Sequence, residues 1–229
     1  MEAFLEERSS IYRKEIVYTY KYSFTRNNIT TTGKIYLGCL GKLWPIKEQE
    51  QFAIIWTESE KALLEKSFET GVIEDSSRIF LHPPRKDKFN ILEYSPFPEI
   101  NFPLTEGKTW NWDLTVGRFW QKNIGLDTTA NDTLKYIYKI ENLRQFYFHP
   151  TKSMVEGYEV KATSLNPKFD SEFTGLFNSS FGFIRMKFNN IDGSECIFDL
   201  TNVCSFDEIK NSTIIDENNR FYFKTESWK

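Results

Sequence analysis

The stretch from Glu15 to Thr25 constrains this chain more than any other. Ile16, Tyr18, Tyr20, Tyr22 and Phe24 alternate with Val17, Thr19, Lys21, Ser23 and Thr25. Successive side chains of a strand point to opposite faces, so this spacing predicts a strand with an aromatic stripe on one side and a mostly polar stripe on the other. The pattern recurs. Trp110, Trp112, Leu114 and Val116 alternate with polar residues, and after a long loop, Gly117 to Asn131, Leu134, Tyr136, Tyr138 and Ile140 alternate with Thr133, Lys135, Ile137 and Lys139. The stripes at Tyr18–Phe24 and Trp110–Val116 are expected to share one concave face.

Turn residues divide the remainder. Asn27-Asn28 supplies a reversal into a second strand, Ile29 to Leu37. Gln51 to Trp56 is apolar on both faces, as a central strand is. Asp192-Gly193, between Gly182–Asn190 and Ser194–Val203, predicts a hairpin closed by a type I′ turn. Further strands are expected at Arg78–Leu81, Phe89–Tyr94 and Tyr158–Ser164. A helical turn and a last strand, Arg220–Lys224, are expected in the tail.

One helix is predicted. Thr57 and Glu60 fit a capping box, Lys61 to Phe68 is helix-forming, and Gly71 stands where a stop belongs. Leu64 and Phe68 fall on its apolar face, with Leu63 at the edge. The proline-studded run Ser95 to Pro103 cannot sit in a central strand, because proline lacks an N–H donor. Its Phe97, Ile100 and Phe102 mark it as an ordered crossover on the domain surface rather than a free linker. About nine to eleven strands with one short helix and no βαβ alternation predict a mainly β protein. The expected form is an antiparallel curved sheet, a half-barrel or lipocalin-like barrel, built as one domain over residues 1–229.

Composition narrows the function. Aromatic residues make up 17% of the 229, a load that disordered chains lack. The net charge is −3 with basic residues spread along the chain, which argues against a nucleic-acid partner. Cys39, Cys196 and Cys204 form no disulfide framework, and three Cys with two His offer little for a metal site. No run approaches the roughly 18 apolar residues of a membrane span. The acidic start, without an apolar h-region, reads as cytoplasmic; a signal removed from a longer precursor would make the location periplasmic or envelope.

Three stretches carry a family resemblance: Ile79-Phe-Leu-His-Pro-Pro-Arg85; Glu93-Tyr-Ser-Pro-Phe-Pro-Glu99 leading to Pro103-Leu-x-x-Gly107-Lys-x-Trp110; and Phe177-Asn-x-x-Phe181-Gly-Phe183 before the Asp192-Gly193 turn. Together they resemble uncharacterised β-rich proteins of Bacteroidetes, many of them lipoproteins. The later half also looks like the half-barrel proteins related to the outer-membrane lipoprotein carriers. The resemblance covers Ile79 to Val203 and brings no catalytic motif with it. It implies a β-rich binding or assembly role at the cell envelope, although the lipoprotein signal and its cysteine are absent from this sequence.

Few residues offer chemistry. His titrates nearest neutrality, and His82, followed by Pro83-Pro84-Arg85, would present imidazole and guanidinium together at a strand end. With Glu93 beside them they would make a pocket for a carboxylate or phosphate; the plainer alternative is that His82 only caps its strand. Nothing converges on His149, the other histidine. No G-x-S-x-G, phosphate loop or G-x-G-x-x-G is present.

The leading expectation is therefore a binding module without cofactor. It would hold an apolar or amphipathic small molecule or lipid against Tyr18, Tyr20, Tyr22, Trp110 and Trp112, unless these rings are simply packed core. The alternatives are an enzyme using His82 and Arg85, and a protein-interaction or assembly factor presenting the Ser95–Pro103 crossover as an exposed aromatic patch.

Overall fold

The computed structural model describes residues 10–45, 50–67, 70–115, 133–166 and 169–211. The stripe that opens the chain forms β1 (Glu15–Arg26) and turns its rings inward: Tyr18, Tyr20, Tyr22 and Phe24 are all buried. Asn27 and Asn28 both adopt positive φ, as a type I′ turn requires, and lead into β2 (Ile29–Leu43). Then follow β3 (Phe52–Thr57), helix α1 (Glu60–Leu64), β4 (Thr70–Glu74), β5 (Arg78–Leu81), a 3-10 helix (Asp87–Tyr94) and β6 (Glu99–Asn101). Among the described residues the second half continues with strands: β7 (Thr109–Thr115), β8 (Thr133–Phe148), β9 (Ser153–Ser164), β10 (Glu172–Asn178), β11 (Gly182–Asn189) and β12 (Glu195–Cys204). A helical stretch, 206–211, follows.

All twelve strands join one antiparallel sheet in the order β6-β5-β4-β3-β2-β1-β12-β11-β10-β9-β8-β7. The sheet curls into a nearly closed, barrel-like shape whose two edges, β6 and β7, face each other across a seam. The mainly β, antiparallel expectation holds. Among the described residues no helix is long and apolar enough to cross a membrane.

The concave side holds the main core and the convex side a smaller one. On the outside, α1 lays Leu63 over Val17, Tyr36, Ala53 and Ile55, and Phe206 and Ile209 join them. Gly38 makes this approach possible, since a Cβ there would stand 2.6 Å from Leu63 Cδ1. The helix is shorter than predicted and differently capped. Ser59 accepts the Ala62 N–H at 3.3 Å, while Thr57 accepts the N–H of Ser59. Leu63 is the residue buried against the sheet, with Leu64 packed partly buried beside it, and Gly71 lies within β4 rather than ending the helix. The expected Arg220–Lys224 strand, Phe68, Val116 and the Gly117–Asn131 loop lie outside the described residues.

The largest correction concerns the segment from His82 to Asn101. After an exposed bend at Lys86 and Asp87 it runs through the interior rather than across the surface, and residues 91–100 are all buried, the last two in β6. Phe89–Tyr94, predicted as a strand, is a 3-10 helix. A chain running down the middle of a barrel has no neighbouring strand to pair with, so its backbone groups bond locally instead. Phe97 is 1% exposed and Ile100 is fully buried, so the exposed aromatic patch expected there does not exist.

The predicted Asp192-Gly193 hairpin is present with another turn. Gly193 alone of the pair has positive φ, and its N–H reaches Asn190 O at 2.9 Å. This is a type I turn followed by a left-handed glycine, with Asp192 Oδ1 accepting from the N–H and hydroxyl of Ser194.

Candidate functional site

Three groups of residues were singled out by the sequence, and the fold treats them differently. The tyrosines of β1 are closed off. Tyr18 donates to Ile11 O and Tyr20 to Phe183 O, both at 2.8 Å. Phe183 N–H in turn donates to the Tyr12 hydroxyl at 2.8 Å, so Tyr12 and Tyr20 hold the N–H and the C=O of one residue. Gly182 admits that grip: its φ is +74°, and a Cβ there would lie 2.1 Å from the Tyr12 oxygen.

Ile11 and Tyr12 are themselves fastened. The buried Glu74 carboxylate accepts the N–H groups of Ile11, Tyr12 and Arg13 at 2.8, 2.7 and 3.1 Å. Tyr22 donates to Glu58, which also binds Lys88 of the 3-10 helix at 2.9 Å. The space a ligand would need is filled by Phe89, whose ring centroid is 5.3 Å from Tyr22 and 5.6 Å from Phe198. Burial pushes the phenols of Tyr18 and Tyr20 well above their usual range.

His82, Arg85 and Glu93 do come together. Arg85 Nε donates to Glu93 Oε1 at 2.8 Å and Nη2 to Oε2 at 3.2 Å, a two-pronged pair. Nη2 also stands 3.1 Å from His82 Nε2, and the imidazole lies against Phe97 with centroids 4.6 Å apart. Burial, then the Arg85 charge, pushes the His82 pKa down to about 3. Burial raises the Glu93 carboxyl against the pull of Arg85. His82 is therefore neutral near pH 7, and the Arg85 fork that would take an external carboxylate is already engaged. The backbone of His82 is anchored too, its carbonyl accepting from the Trp56 indole at 2.8 Å. The arrangement ties residue 85 to residue 93 across the 3-10 helix and pins the interior segment where it enters the barrel.

Trp110 and Trp112 stand elsewhere, on the edge strand β7, where inward positions are only half-buried. Each stacks on β8, Trp110 on Tyr138 at 5.2 Å and 16°, Trp112 on Tyr136 at 5.6 Å and 18°. Trp112 also crosses the seam to meet Phe97 at 5.1 Å and Phe80 at 5.4 Å. Between the two edges lies an open cleft of about 520 Å³, lined by Asp75, Arg78, Glu99, Asn101, Lys108, Trp110 and Trp112 among others. Lys108 Nζ spans the seam below it, donating to Phe102 O at 2.7 Å and Asn101 O at 3.1 Å.

Comparison with known proteins adds little to this geometry. No family model matches the chain, and no curated protein does. Among solved structures it is similar to the hypothetical lipoprotein YmcC from Escherichia coli (K12), with a TM-score of 0.35 and 12% identity over 84% of this chain and 90% of that one. A likeness that remote leaves the site to be judged by its own atoms.

Within the cleft, burial raises the Glu99 carboxyl, while the Trp110 indole and Arg78, 3.9 Å away, pull it back. Asp75 behaves otherwise: burial would raise it, but the hydroxyl and N–H of Ser77 and the N–H of Arg78 hold it below its ordinary value. Sequence reasoning missed Glu99, Arg78 and Lys108 as lining residues. One signal was available for Glu99, an acid inside the apolar proline-rich run, since acids are seldom buried without purpose. It also missed that Tyr136 and Tyr138 hold the interior segment, donating to Tyr94 O and Phe97 O at 2.8 Å each.

Proposed function

We propose that this protein is a binding module, not an enzyme, and that it holds an amphipathic small molecule in the seam cleft against Trp110 and Trp112. The observation that carries the reading is the contrast in lining: the β1 tyrosines are packed and hydrogen-bonded, whereas the β7 tryptophans border an open cleft of about 520 Å³. Cavities of that size suit small ligands, and this one sets Phe102, Trp110 and Trp112 among mostly polar side chains. The binding residues are then Trp110 and Trp112, with Tyr18, Tyr20 and Tyr22 shaping the core behind them. An envelope setting belongs to the same proposal and draws on the resemblance of Ile79–Val203 to envelope lipoproteins; a lipobox cysteine encoded upstream in the gene would support it.

Native mass spectrometry of gently purified protein tests the binding. The expected result is a bound small mass that is lost in Trp112→Ala while the fold persists by circular dichroism. A protein that carries no ligand, and whose melting temperature no member of a broad amphiphile panel shifts, would overturn it. Catalysis at His82 is the competing reading. It predicts an activity that His82→Ala abolishes; the present reading predicts ligand binding unchanged in that variant.

A further inference from the structure

β8 outruns the strands that flank it. Its first half pairs with β7 on one side, from Thr133 to Lys139, and with β9 on the other. After the bulge between Ile140 and Asn142 only β9 remains. Among the described residues no strand pairs with the other side of β8 from Leu143 to Phe148. β9 is equally alone there, because its pairing with β10 starts at Tyr158. Residues 143–157 are thus a two-stranded ribbon extending beyond the sheet. Two strands by themselves are marginal in water and need a further strand or a packed face. One face has that support: Phe148 is buried against Phe181, with ring centroids 5.0 Å apart, and Phe146 and Val155 are partly buried.

The opposite face and the free edge lack it. Tyr147 and Met154 stand opposite each other in the register and are 51% and 59% exposed; Leu143, opposite Tyr158, is 40% exposed. The backbone is open along the same edge. Leu143 N–H points away from β9, donating to Glu106 Oε1 at 2.8 Å. Alternate residues of a strand aim their backbone groups to the same side, so the N–H and C=O of Gln145 and Tyr147 also point outward. An exposed edge with apolar side chains is a template for another strand. Among the described residues, the group laid across this one is the exposed Glu106 carboxylate.

The edge is complementary to itself. Laid antiparallel on a second copy about Gln145, it sets Leu143 opposite Tyr147 and Arg144 opposite Phe146, with Glu141 facing His149 at the two ends. No like charges meet, an acid faces an imidazole, and the apolar pair recurs on both sides of the axis. Across four strands each outer row then reads Met154, Tyr147, and the second copy's Leu143 and Tyr158. A two-fold contact needs such a pattern, since every pair in it occurs twice. Pairing would exchange the Glu106 bond at Leu143 N–H for the second copy's Tyr147 carbonyl.

We propose that the 143–148 edge of β8 is a homodimer interface, where two copies pair antiparallel about Gln145 and join their ribbons into one four-stranded sheet. None of these residues lines the seam cleft, so the contact is independent of what the cleft binds. An edge contact this short is small, and its association is weak and concentration-dependent.

Sedimentation velocity of the full chain from about 10 µM to about 1 mM spans the relevant range. The expected result is a monomer–dimer equilibrium that stops at two copies. Gln145→Glu and Gln145→Lys each set like charges against one another on the axis and should weaken association about fivefold. Mixed in equal amounts, they set opposite charges there and should restore it. Gln145→Pro removes an N–H that β9 does not use, a position where a strand tolerates proline, and should abolish the dimer while circular dichroism stays unchanged. A chain that remains monomeric throughout overturns the proposal, as does association that none of the three variants weakens or that continues past the dimer. If each charge variant is weakened alone and the mixture does not recover, the two-fold register is wrong.

Discussion

Two aromatic stripes that read alike in the sequence end in opposite circumstances. The β1 stripe, Tyr18 to Phe24, lies mid-sheet between β2 and β12, with Phe89 of the interior segment pressed against it. The β7 stripe, Trp110 to Leu114, lies on the sheet's edge and is only partly buried. Alternation reports which way a side chain points relative to its strand; it does not report what stands opposite. In the first case a plug of the chain's own residues stands there, and in the second there is an open cleft.

The strongest effect expected from that contrast belongs to the plug. Phe97→Ala, which empties the space between His82, Trp112 and Phe80, should cost about 3–5 kcal/mol in urea unfolding. A cost under about 1 kcal/mol would mean the interior segment is loosely held, and the two stripes would no longer differ in kind.

Tyr20→Phe comes next. It strips the hydroxyl from Phe183 O and leaves a buried carbonyl unpaired, so about 1–3 kcal/mol should be lost with no change in ligand binding. Trp112→Ala should show the reverse balance, a smaller stability loss than Phe97→Ala but a loss of bound ligand.

Acid provides a gentler test of the plug's fastening. The folded pKa of His82, about 3, lies below the ordinary value of 6.5, so the unfolded chain takes up a proton that the folded chain refuses. Stability contributed this way is intact above pH 6.5 and declines as the pH falls toward 3, by at most about 1.4 kcal/mol per pH unit. Glu93, 3.7 Å from the imidazole, works in the opposite sense, because its raised carboxyl protonates more readily in the folded state. His82→Gln should flatten the slope between pH 6.5 and 4.5 in chemical unfolding. An unchanged slope would place the imidazole in contact with water.

The smallest effect expected is that of Trp110→Phe on stability, below about 1 kcal/mol, because the deleted N–H has no well-formed bond to lose. A larger loss would show that the Glu99 contact is already a sound hydrogen bond.

Much of the fold was legible because strands announce themselves by period two and turns by Asn and Gly. β1, β2, β7 and the β11–β12 hairpin were all visible in this way. The strands that escaped, β4, β6 and β10, are short or carry glycine where a ring needs room; a Cβ at Gly175 would stand 2.7 Å from the Phe173 ring. The interior segment escaped for another reason. Prolines mark a chain that cannot join a ladder, and such chains usually lie outside, yet a barrel lumen also offers no ladder to join. Of the site, the meeting of His82, Arg85 and Glu93 was readable from their spacing around a rigid Pro-Pro turn. The seam was not, because it depends on which two strands fail to pair, and no residue of either strand encodes that alone.

The strand order has a consequence for how the molecule could be cut and rejoined. Every pairing but one links strands consecutive along the chain; the exception is β1 with β12. The gap falls between β6 and β7, which are also consecutive. The sheet is thus a circular meander whose unpaired joint sits mid-chain, while its first and last strands are zipped together from Val17–Cys204 to Thr25–Glu195. Until β12 is in place no strand ladder ties the two six-strand halves together. A circular permutant opened between Phe102 and Gly107 would make that long-range pairing a local one and put both new ends at the seam cleft.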